Sequence, residues 1–400
     1  MPDLRPFRGI RYSSADRLKD LICPPYDVID PREQDRLYDR HPHNAVRLEL
    51  ARGEAKYRDA SEAFREWIDQ EVLVQDETPA FYVYRQDFRD RDDRPRRVAG
   101  IMGDLRLEEF GDDGGVLPHE RTMAGPKADR LELMRNLPLN VSPIFAIYRG
   151  EGALGPYLTS LENRPTTARA QDDQGVLHRL WTITGPGEIE MISEAIRPGP
   201  LVIADGHHRY ETALAFHRDR GRTPGAHDGI MCFCVDADGE ELVVLPYNRA
   251  FRSDGPPGEV EERLRAGFGA HPGSLDATTA DHPLLFVFGD DGDGRDLLVE
   301  LSDDDVVEAV GVRARAWRDL DVVALHEVVI PRVAPGAEFR FSRSEEEIRA
   351  AARAGSVGVL LRAVHPTQIV DVASSGERMP QKASYFWPKA VTGLVFRSTS

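Results

Sequence analysis

The segment Pro200-Leu-Val-Ile-Ala-Asp-Gly-His-His-Arg-Tyr-Glu-Thr-Ala-Leu-Ala215 decides the fold of this chain. Its apolar start predicts a strand over Pro200–Ala204, Gly206 predicts a tight turn, and the pattern after it predicts an amphipathic helix over His208–Arg220. A strand that passes through a glycine into a helix directs backbone N–H groups and the positive end of the helix dipole toward the turn. The segment therefore predicts an anion-binding turn.

The side chains around this turn strengthen that prediction. Cations at a helix N-terminus oppose the dipole unless an anion is bound there, and arginine can bind phosphate through two N–H groups. We therefore expect the phosphates of a nucleotide to be bound by Gly206, His207, His208 and Arg209. Asp205, at the end of the strand, is expected to hold Mg²⁺ or to orient a hydroxyl group. The alternative is that Asp205 only caps the helix and the histidines are polar residues at its start.

Outward from the turn, predicted strands and helices alternate, which favours a mixed α/β fold. Strands are expected over Val46–Leu50, Pro143–Tyr148, His178–Thr184 and Gly229–Val235. Helices are expected over Pro31–Arg40, Tyr57–Val74, Ala128–Leu137 and Gly187–Ile196. The Gly-, Pro- and Asp-rich stretch Arg252–Gly258 is the best candidate for a linker, so we divide the chain into regions 1–150, 151–252 and 253–400.

A second segment, Leu117-Pro-His-Glu-Arg-Thr-Met-Ala-Gly-Pro-Lys-Ala-Asp-Arg-Leu131, combines acid, base and cationic groups in a Gly- and Pro-containing loop. Such loops often carry functional side chains. His119 and Glu120 are candidates for acid–base catalysis, and Lys127 and Arg130 are candidates for binding phosphate or a carboxylate. The alternative is an ordinary polar loop before a helix.

Two further stretches are less decisive. Pro24-Pro-Tyr-Asp-Val28 is a stiff, irregular loop that presents Tyr26 and Asp27, and it could equally be a structural corner. Near the C-terminus, Lys382 and Lys389 stand among Tyr385, Phe386 and Trp387. This aromatic strip could line a pocket for a base or a phosphate, with Lys382 as a cofactor-binding residue, or it could be a strand at the edge of the core.

Composition limits the classes of function. The formal net charge of −17 disfavours nucleic acid as a partner, because proteins that grip a phosphate backbone usually show a basic face. There are three cysteines, which is typical of a reducing compartment, and Cys232 and Cys234 are expected in the core of a strand. No apolar run suits a membrane span or a secretory signal, so we expect a cytoplasmic protein. The sequence has no Walker A, G-x-G-x-x-G, H-E-x-x-H or G-x-S-x-G motif.

Several of these segments together resemble the domain-of-unknown-function 1015 family over nearly the whole chain. The matching motifs are Pro24-Pro-Tyr-Asp-Val-Ile29, Asn44-x-Val-Arg-Leu48, His119-Glu-x-Thr122, Pro126-Lys-x-Asp-Arg-Leu131, Ala204-Asp-Gly-His-His-Arg-Tyr210 and Met379-Pro-Gln-Lys382. The Asp-Gly-His-His-Arg element also looks like the phosphate-binding turn of the ParB/sulfiredoxin-like fold, which free serine kinases share. This local resemblance implies a ParB/sulfiredoxin-like nucleotide-binding core with additional α/β elements.

The resemblance also implies a nucleotide with Mg²⁺, an acidic residue as base for the acceptor hydroxyl, and basic residues on the phosphates. We assign Glu120 as that base, since it lies beside His119 in a loop of suitable character. The leading hypothesis is a kinase that uses ATP or ADP to phosphorylate free L-serine or a similar hydroxy compound. A nucleotide-binding regulator like the ParB-type switches is the alternative, and the net charge weighs against a DNA-associated nuclease. A homodimer is left open.

Overall fold

The computed structural model describes residues 1–111, 114–120, 126–289 and 296–400, with only the backbone of residues 126 and 127. Contacts among the described residues group the chain into two units. The first unit comprises Met1–Pro118, Thr122–Val243 and Pro388–Ser400, and the second comprises His119–Arg121 and Val244–Trp387. The candidate linker Arg252–Gly258 lies inside the second unit, and the division into three regions stays a sequence-based expectation.

Strands and helices alternate along both units, so the prediction of a mixed α/β fold is confirmed. In chain order the strands are β1 (Leu4–Arg5), β2 (Gly9–Tyr12), β3 (Leu73–Gln75), β4 (Phe81–Arg89), β5 (Pro95–Arg106), β6 (Val116–Pro118), β7 (Leu139–Asn140), β8 (Ile144–Tyr148), β9 (Ala168–Gln171), β10 (Leu177–Ile183), β11 (Leu201–Asp205), β12 (Gly229–Asp236), β13 (Val243–Leu245), β14 (Asn248–Phe251), β15 (His271–Pro272), β16 (His282–Val287), β17 (Leu297–Leu301), β18 (Phe339–Ser342), β19 (Val357–Leu360), β20 (Tyr385–Trp387) and β21 (Phe396–Ser398).

The α-helices follow the same chain order. They are α1 (Leu18–Leu21), α2 (Pro31–Arg40), α3 (Val46–Glu49), α4 (Lys56–Asp69), α5 (Pro126–Asn136), α6 (Gly155–Ser160), α7 (Pro186–Ile196), α8 (His207–Asp219), α9 (Pro257–Phe268), α10 (Asp303–Val310), α11 (Arg315–Arg318), α12 (Asp321–Val323), α13 (Ile330–Val333), α14 (Glu345–Arg353) and α15 (Pro366–Ser374). A π-helix, Ala324–Val329, joins α12 to α13, and short 3₁₀ turns complete the chain, the first at Tyr26–Val28. None of the helices in the described ranges is long and apolar enough to cross a membrane.

The main sheet of the first unit runs in the order β6-β11-β8-β12-β5-β4-β10-β9, with β1 paired beside β5. It is mixed, because β11 is parallel to β6 and antiparallel to β8, while β8 is parallel to β12. Its strands are buried over most of their length, as expected for a sheet covered on both faces. Cys232 and Cys234 lie buried in β12, which confirms their predicted place in the core.

A smaller sheet of the first unit runs in the order β3-β2-β21-β7. Here the last strand of the chain pairs with β2 near the N-terminus and with β7 from the middle. Phe396 of β21 is fully buried, and Arg397 lies in an ion pair of 2.7 Å with the carboxylate of Asp104. The C-terminal residues are therefore an integral part of the first unit.

The second unit is built around a sheet in the order β15-β17-β16-β19-β14-β18. Its hydrophobic cluster joins strand residues such as Leu285 and Leu298 to Ile348 of α14. In the described part of the chain, β13 and β20 form a separate two-stranded sheet. The aromatic strip of the sequence supplies β20, in which Tyr385 and Phe386 are buried.

One predicted strand is wrong. Val46–Leu50 alternates apolar and polar residues, but Val46–Glu49 forms helix α3. Asn44 explains the difference, because its side-chain oxygen accepts a hydrogen bond from the N–H of Val46 at 2.9 Å, and such local bonds compete with strand formation. The predicted helix over Tyr57–Val74 is also too long, since α4 ends at Asp69 and Leu73 begins β3.

Candidate functional site

The strand–turn–helix predicted around Gly206 is present in the first unit, with boundaries shifted by one residue. β11 ends at Asp205, Gly206 adopts a left-handed conformation with φ of 87°, and α8 begins at His207. A Cβ atom at position 206 would lie 2.9 Å from Nε of Arg209, which is too close. Glycine is therefore required here both by the positive φ and by the close approach of Arg209.

Asp205 does not cap the helix. Its Oδ1 accepts a hydrogen bond from Nζ of Lys389 at 2.6 Å, and its Oδ2 accepts one from Nη2 of Arg209 at 2.7 Å. Burial works to raise the pKa of this carboxyl, but the charges of Lys389 and Arg209 outweigh burial and lower it to about 2. Asp205 is therefore ionised at neutral pH and holds two cations at the turn.

Arg209 joins the start of α8 to the segment that leads into β8. Besides Asp205, its guanidinium donates to Oγ of Ser142 at 3.1 Å and to the carbonyl oxygen of Pro143 at 2.5 Å. Only 11% of its side chain is exposed. The sequence-based expectation was a guanidinium that meets phosphate directly, whereas in this structure the guanidinium is engaged within the protein.

The two histidines of the turn differ in exposure. His207 is buried, with 4% of its surface exposed, and His208 is half-buried. The first helical hydrogen bond of α8 runs from the N–H of Tyr210 to the carbonyl oxygen of Gly206 at 3.0 Å. The N–H groups of the first turn, at residues 207–209, thus point past Gly206 along the helix axis.

The proline-rich loop contributes Tyr26 and Asp27 to the same region of the first unit. Burial raises the pKa of Asp27, and the charge of Asp205 raises it further, while Arg209 and Lys389 act in the opposite direction. This mutual influence places Asp27 within electrostatic range of the turn. The sequence leaves Asp27 open between a functional residue and part of a structural corner, and a functional role for it stays a prediction.

Arg130, one of the predicted phosphate ligands, lies on α5. Its guanidinium stacks over the ring of Tyr26 at 4.4 Å, and its Nη1 donates to the carbonyl oxygen of Glu49 at 2.7 Å. Its Nε and Nη2 donate to the carboxylate of Asp129, the Nε bond at 2.9 Å. Lys127 lies in the same helix, but its side chain and residues 121–125 lie outside what the structure describes.

Three predicted residues, His119, Glu120 and Lys382, belong to the second unit. Glu120 forms a parallel β-bridge with Met379, whose N–H donates to the carbonyl oxygen of His119 at 2.8 Å. Nε2 of His119 lies 3.1 Å from Oγ of Ser384. The structure thus brings the His-Glu motif together with the Met-Pro-Gln-Lys motif.

Lys382 has a strained backbone in this segment, with a positive φ of 56°. Nη2 of the buried Arg249 donates to its carbonyl oxygen at 3.0 Å, and its Nζ lies 5.3 Å from the centre of the Tyr247 ring. Burial lowers the pKa of Arg249 to about 9. The hydrogen bond from Arg249 to the carbonyl oxygen of Lys382 holds this turn in place.

The residues near Asp205 do not fit a resident magnesium ion. Mg²⁺ takes carboxylate oxygens in an octahedral shell, but each oxygen of Asp205 already accepts from a cationic donor. In the described ranges no group of three or more His, Cys, Asp or Glu side chains could hold a metal ion. The prediction that Asp205 coordinates Mg²⁺ therefore finds no support in this geometry.

Sequence reasoning missed two residues of this region. Lys389 was noticed in the aromatic strip but not assigned, and the signal that could have identified it was the scarcity of lysine in an arginine-rich chain. Glu49 was hidden by the wrong strand prediction. It lies at the end of α3, is 2% exposed, and its Oε1 accepts from Oγ of Ser142 at 3.1 Å.

Comparisons with known proteins identify a family and a set of similar folds. The family model described as "Protein of unknown function (DUF1015)" matches residues 4–323. A search of curated proteins finds no match.

Three solved structures resemble this chain over 68–72% of its length, with TM-scores between 0.32 and 0.38. SbnI with a C-terminal truncation, from Staphylococcus aureus, has a TM-score of 0.38 and 11% identity, over 72% of this chain and 85% of that chain. A conserved hypothetical protein from Pyrococcus furiosus has a TM-score of 0.32 and 13% identity, over 70% and 92%. A free serine kinase in complex with AMP has a TM-score of 0.34 and 14% identity, over 68% and 83%.

Proposed function

This chain belongs to the DUF1015 family of proteins of unknown function, and we propose that it is a nucleotide-dependent kinase of a small hydroxy compound such as free L-serine. The observation that carries the proposal is the turn at Gly206, where β11 ends, the backbone is left-handed and α8 begins. The N-terminus of a helix behind a glycine turn suits an anion, because N–H groups and the helix dipole point toward it. The resemblance of Asp205–Arg209 to the phosphate-binding turn of free serine kinases supports a nucleotide as that anion.

The charges at the turn suit the same ligand. Lys389 and Arg209 share the carboxylate of Asp205, so two cations face one anion. A pair of cations beside the positive end of α8 favours a polyphosphate.

In the proposed reaction the acceptor hydroxyl oxygen attacks the terminal phosphorus of the nucleotide. The bond from that phosphorus to the bridging oxygen breaks, and a base takes the hydroxyl proton. The leaving group is ADP when ATP is the donor and AMP when ADP is the donor. Glu120 stays our prediction for that base. Because Asp205 is engaged, Mg²⁺ enters the proposal only as part of the nucleotide substrate.

The test is to incubate the purified protein with ATP or ADP, Mg²⁺ and a pool of amino acids, and to identify the products by mass spectrometry. The proposal expects a phosphorylated hydroxy amino acid together with ADP or AMP. Nucleotide binding with no phosphorylated product would instead indicate a nucleotide-binding regulator. An absence of nucleotide binding would remove the turn at Gly206 from any account of function.

A further inference from the structure

A small cavity of about 50 Å³ lies inside the first unit, beside the base of the turn. Its polar lining includes Glu49, Arg130, Ser142, Arg209 and Thr212. One water molecule needs roughly 10–15 Å³ of such volume. The cavity therefore admits a group of a few heavy atoms, such as one end of a free amino acid, and is too small for a nucleobase.

Glu49 is the acidic group of this cavity, and its two carboxylate oxygens differ in their partners. Oε1 accepts from the hydroxyl of Ser142 at 3.1 Å, whereas Oε2 is buried and has no hydrogen-bond partner of good geometry among the described residues. The hydroxyl oxygen of Thr212, also in the cavity lining, is likewise buried and unmatched within the described ranges. A buried carboxylate oxygen without a donor is costly, so a hydrogen-bond donor on a bound ligand would stabilise Oε2.

The two guanidinium groups near Glu49 are not that donor. Arg130 is bound to Asp129 and to the main-chain oxygen of Glu49, and Arg209 is bound to Asp205, Ser142 and the carbonyl of Pro143. Each guanidinium is therefore paired with another carboxylate.

Burial raises the pKa of Glu49. The charges of Arg130 and Arg209, the Ser142 hydroxyl and the nearby Tyr26 amide offset only part of that effect. The described residues thus stabilise the charged form of Glu49 only in part, and a bound cation would stabilise it further.

The cavity is connected to the turn by a short chain of hydrogen bonds. Oδ2 of Asp205 accepts from Arg209 at 2.7 Å, Arg209 donates to Ser142 at 3.1 Å, and Ser142 donates to Glu49 at 3.1 Å. A ligand on Glu49 would therefore lie two side chains away from the carboxylate at the turn. This places the cavity where one end of a small acceptor could be held near a bound nucleotide.

We propose that Glu49 binds the ammonium group of a small amine through Oε2, and that it selects amino-bearing acceptors over plain hydroxy compounds. Among the cationic groups of small molecules, a primary ammonium combines the size that this cavity admits with donors for Glu49 and for the hydroxyl of Thr212. The selection of an acceptor rests on the proposed kinase function, whereas the binding of an amine does not.

The test is calorimetric titration of the whole protein with L-serine, ethanolamine and L-glycerate, in the absence of nucleotide. L-glycerate has a hydroxyl where L-serine has its amine and keeps the same configuration. We expect L-serine and ethanolamine to bind the native protein, L-glycerate to bind roughly tenfold more weakly or worse, and Glu49→Gln to weaken L-serine binding on the order of 10- to 100-fold. Glu49→Asp keeps the charge but shortens the side chain by one methylene group, so it should also weaken binding. It replaces the Gln variant in the test if that variant does not fold.

Glu240→Gln is the matched control. Glu240 is another largely buried glutamate of the first unit, with its pKa raised to about 7 by burial, and it accepts from the N–H of Ala99 outside the cavity. This variant should bind L-serine like the native protein. A folded Glu49 variant with native affinity for L-serine would overturn the inference, as would equal affinity for L-glycerate or no binding of either amine.

The same variants separate this inference from the proposed function. If L-serine binds in a Glu49-dependent way but no phosphorylated product forms with any nucleotide, the kinase proposal fails and the amine site stands. If phosphoserine forms and the KM for L-serine is unchanged in Glu49→Gln, the kinase proposal stands and the amine site fails.

Discussion

Asp205 shows how one residue can decide what a turn is able to bind. A carboxylate at the end of a strand would ordinarily repel a phosphate, but here Lys389 and Arg209 hold it at 2.6 and 2.7 Å. A polyanion would therefore meet the combined charge of a trio of residues, Asp205, Lys389 and Arg209. Lys389 supplies a compact ammonium with a flexible stem, which suits exchange between a carboxylate and a phosphate.

Replacing Lys389 tests this role. In Lys389→Met the trio loses one positive charge, so we expect the affinity for ATP or ADP to fall by about tenfold, near 1.4 kcal/mol, in a titration. Lys56→Met is the control, because Lys56 also pairs with a carboxylate of the first unit, that of Asp129, at a half-exposed position. Equal affinities of the two variants would show that Lys389 only stabilises Asp205.

Glu120 carries the predicted chemical step. Glu120→Gln keeps the size of the side chain but cannot take a proton at neutral pH, so we expect nucleotide binding within about twofold of native and a loss of phosphoryl transfer of at least 100-fold. Binding is measured by titration and transfer by the rate of product formation. Full activity of this variant would mean that another carboxylate, such as Asp27, is the base.

At the scale of elements, the turn between β11 and α8 was predictable because its chemistry is local. The strand and the helix predicted over Pro200–Ala204 and His208–Arg220 each lie within one residue of those observed. The apolar run, the glycine and the amphipathic pattern that predict these elements all lie within one short segment. Helix α3 was not predictable from alternation alone, since Asn44 redirects the backbone with its side chain.

The remaining parts of the site depend on contacts far apart in the sequence. Lys389 and Asp205 are separated by 184 positions, and Ser142 and Glu49 by 93. No local pattern records such pairs, because they form only when the sheets assemble. The sequence could therefore indicate which residues are candidates for the site, but it could not indicate which residues they contact.

The conformation of Gly206 gives a prediction at this scale. Gly206→Ala places a Cβ at a positive φ and against Arg209, so we expect a loss of about 1–2 kcal/mol in the free energy of unfolding and a marked loss of nucleotide affinity. Gly221→Ala is the control, since Gly221 has φ of 74° just beyond the other end of α8 and nothing within 4 Å of its Cβ position. It should cost similar stability and leave nucleotide binding unchanged. Loss of affinity in both variants would indicate strain in α8 rather than a site at Gly206.

At the scale of the whole molecule, the first unit is discontinuous in sequence. The chain leaves it at Val243 and returns at Pro388, and the returning residues supply β21 between β2 and β7. The second unit has its own sheet and its own hydrophobic cluster. The smaller sheet of the first unit is therefore complete only when the returning segment has supplied β21.

A truncation after Trp387 tests this dependence. It removes the buried Phe396, the ion pair of Arg397 with Asp104, and a strand paired on both sides. Because a domain is stable by only about 5–15 kcal/mol, we expect the first unit to lose cooperative unfolding in circular dichroism and the protein to aggregate. A chain that lacks only the exposed Ser400 is the control and should unfold like the native protein. Native-like melting of the long truncation would show that β21 is dispensable.

The late return of the chain also has a consequence during synthesis. Lys389 and β21 follow the second unit in the sequence, so they are synthesised only after Val244–Trp387. Until then Asp205 lacks one of its two cationic partners, and the turn cannot have its final charge. A nascent polypeptide that stops before Lys389 would thus expose the glycine turn without the ammonium group that completes it, and nucleotide capture would be restricted to molecules in which the chain has returned to the first unit.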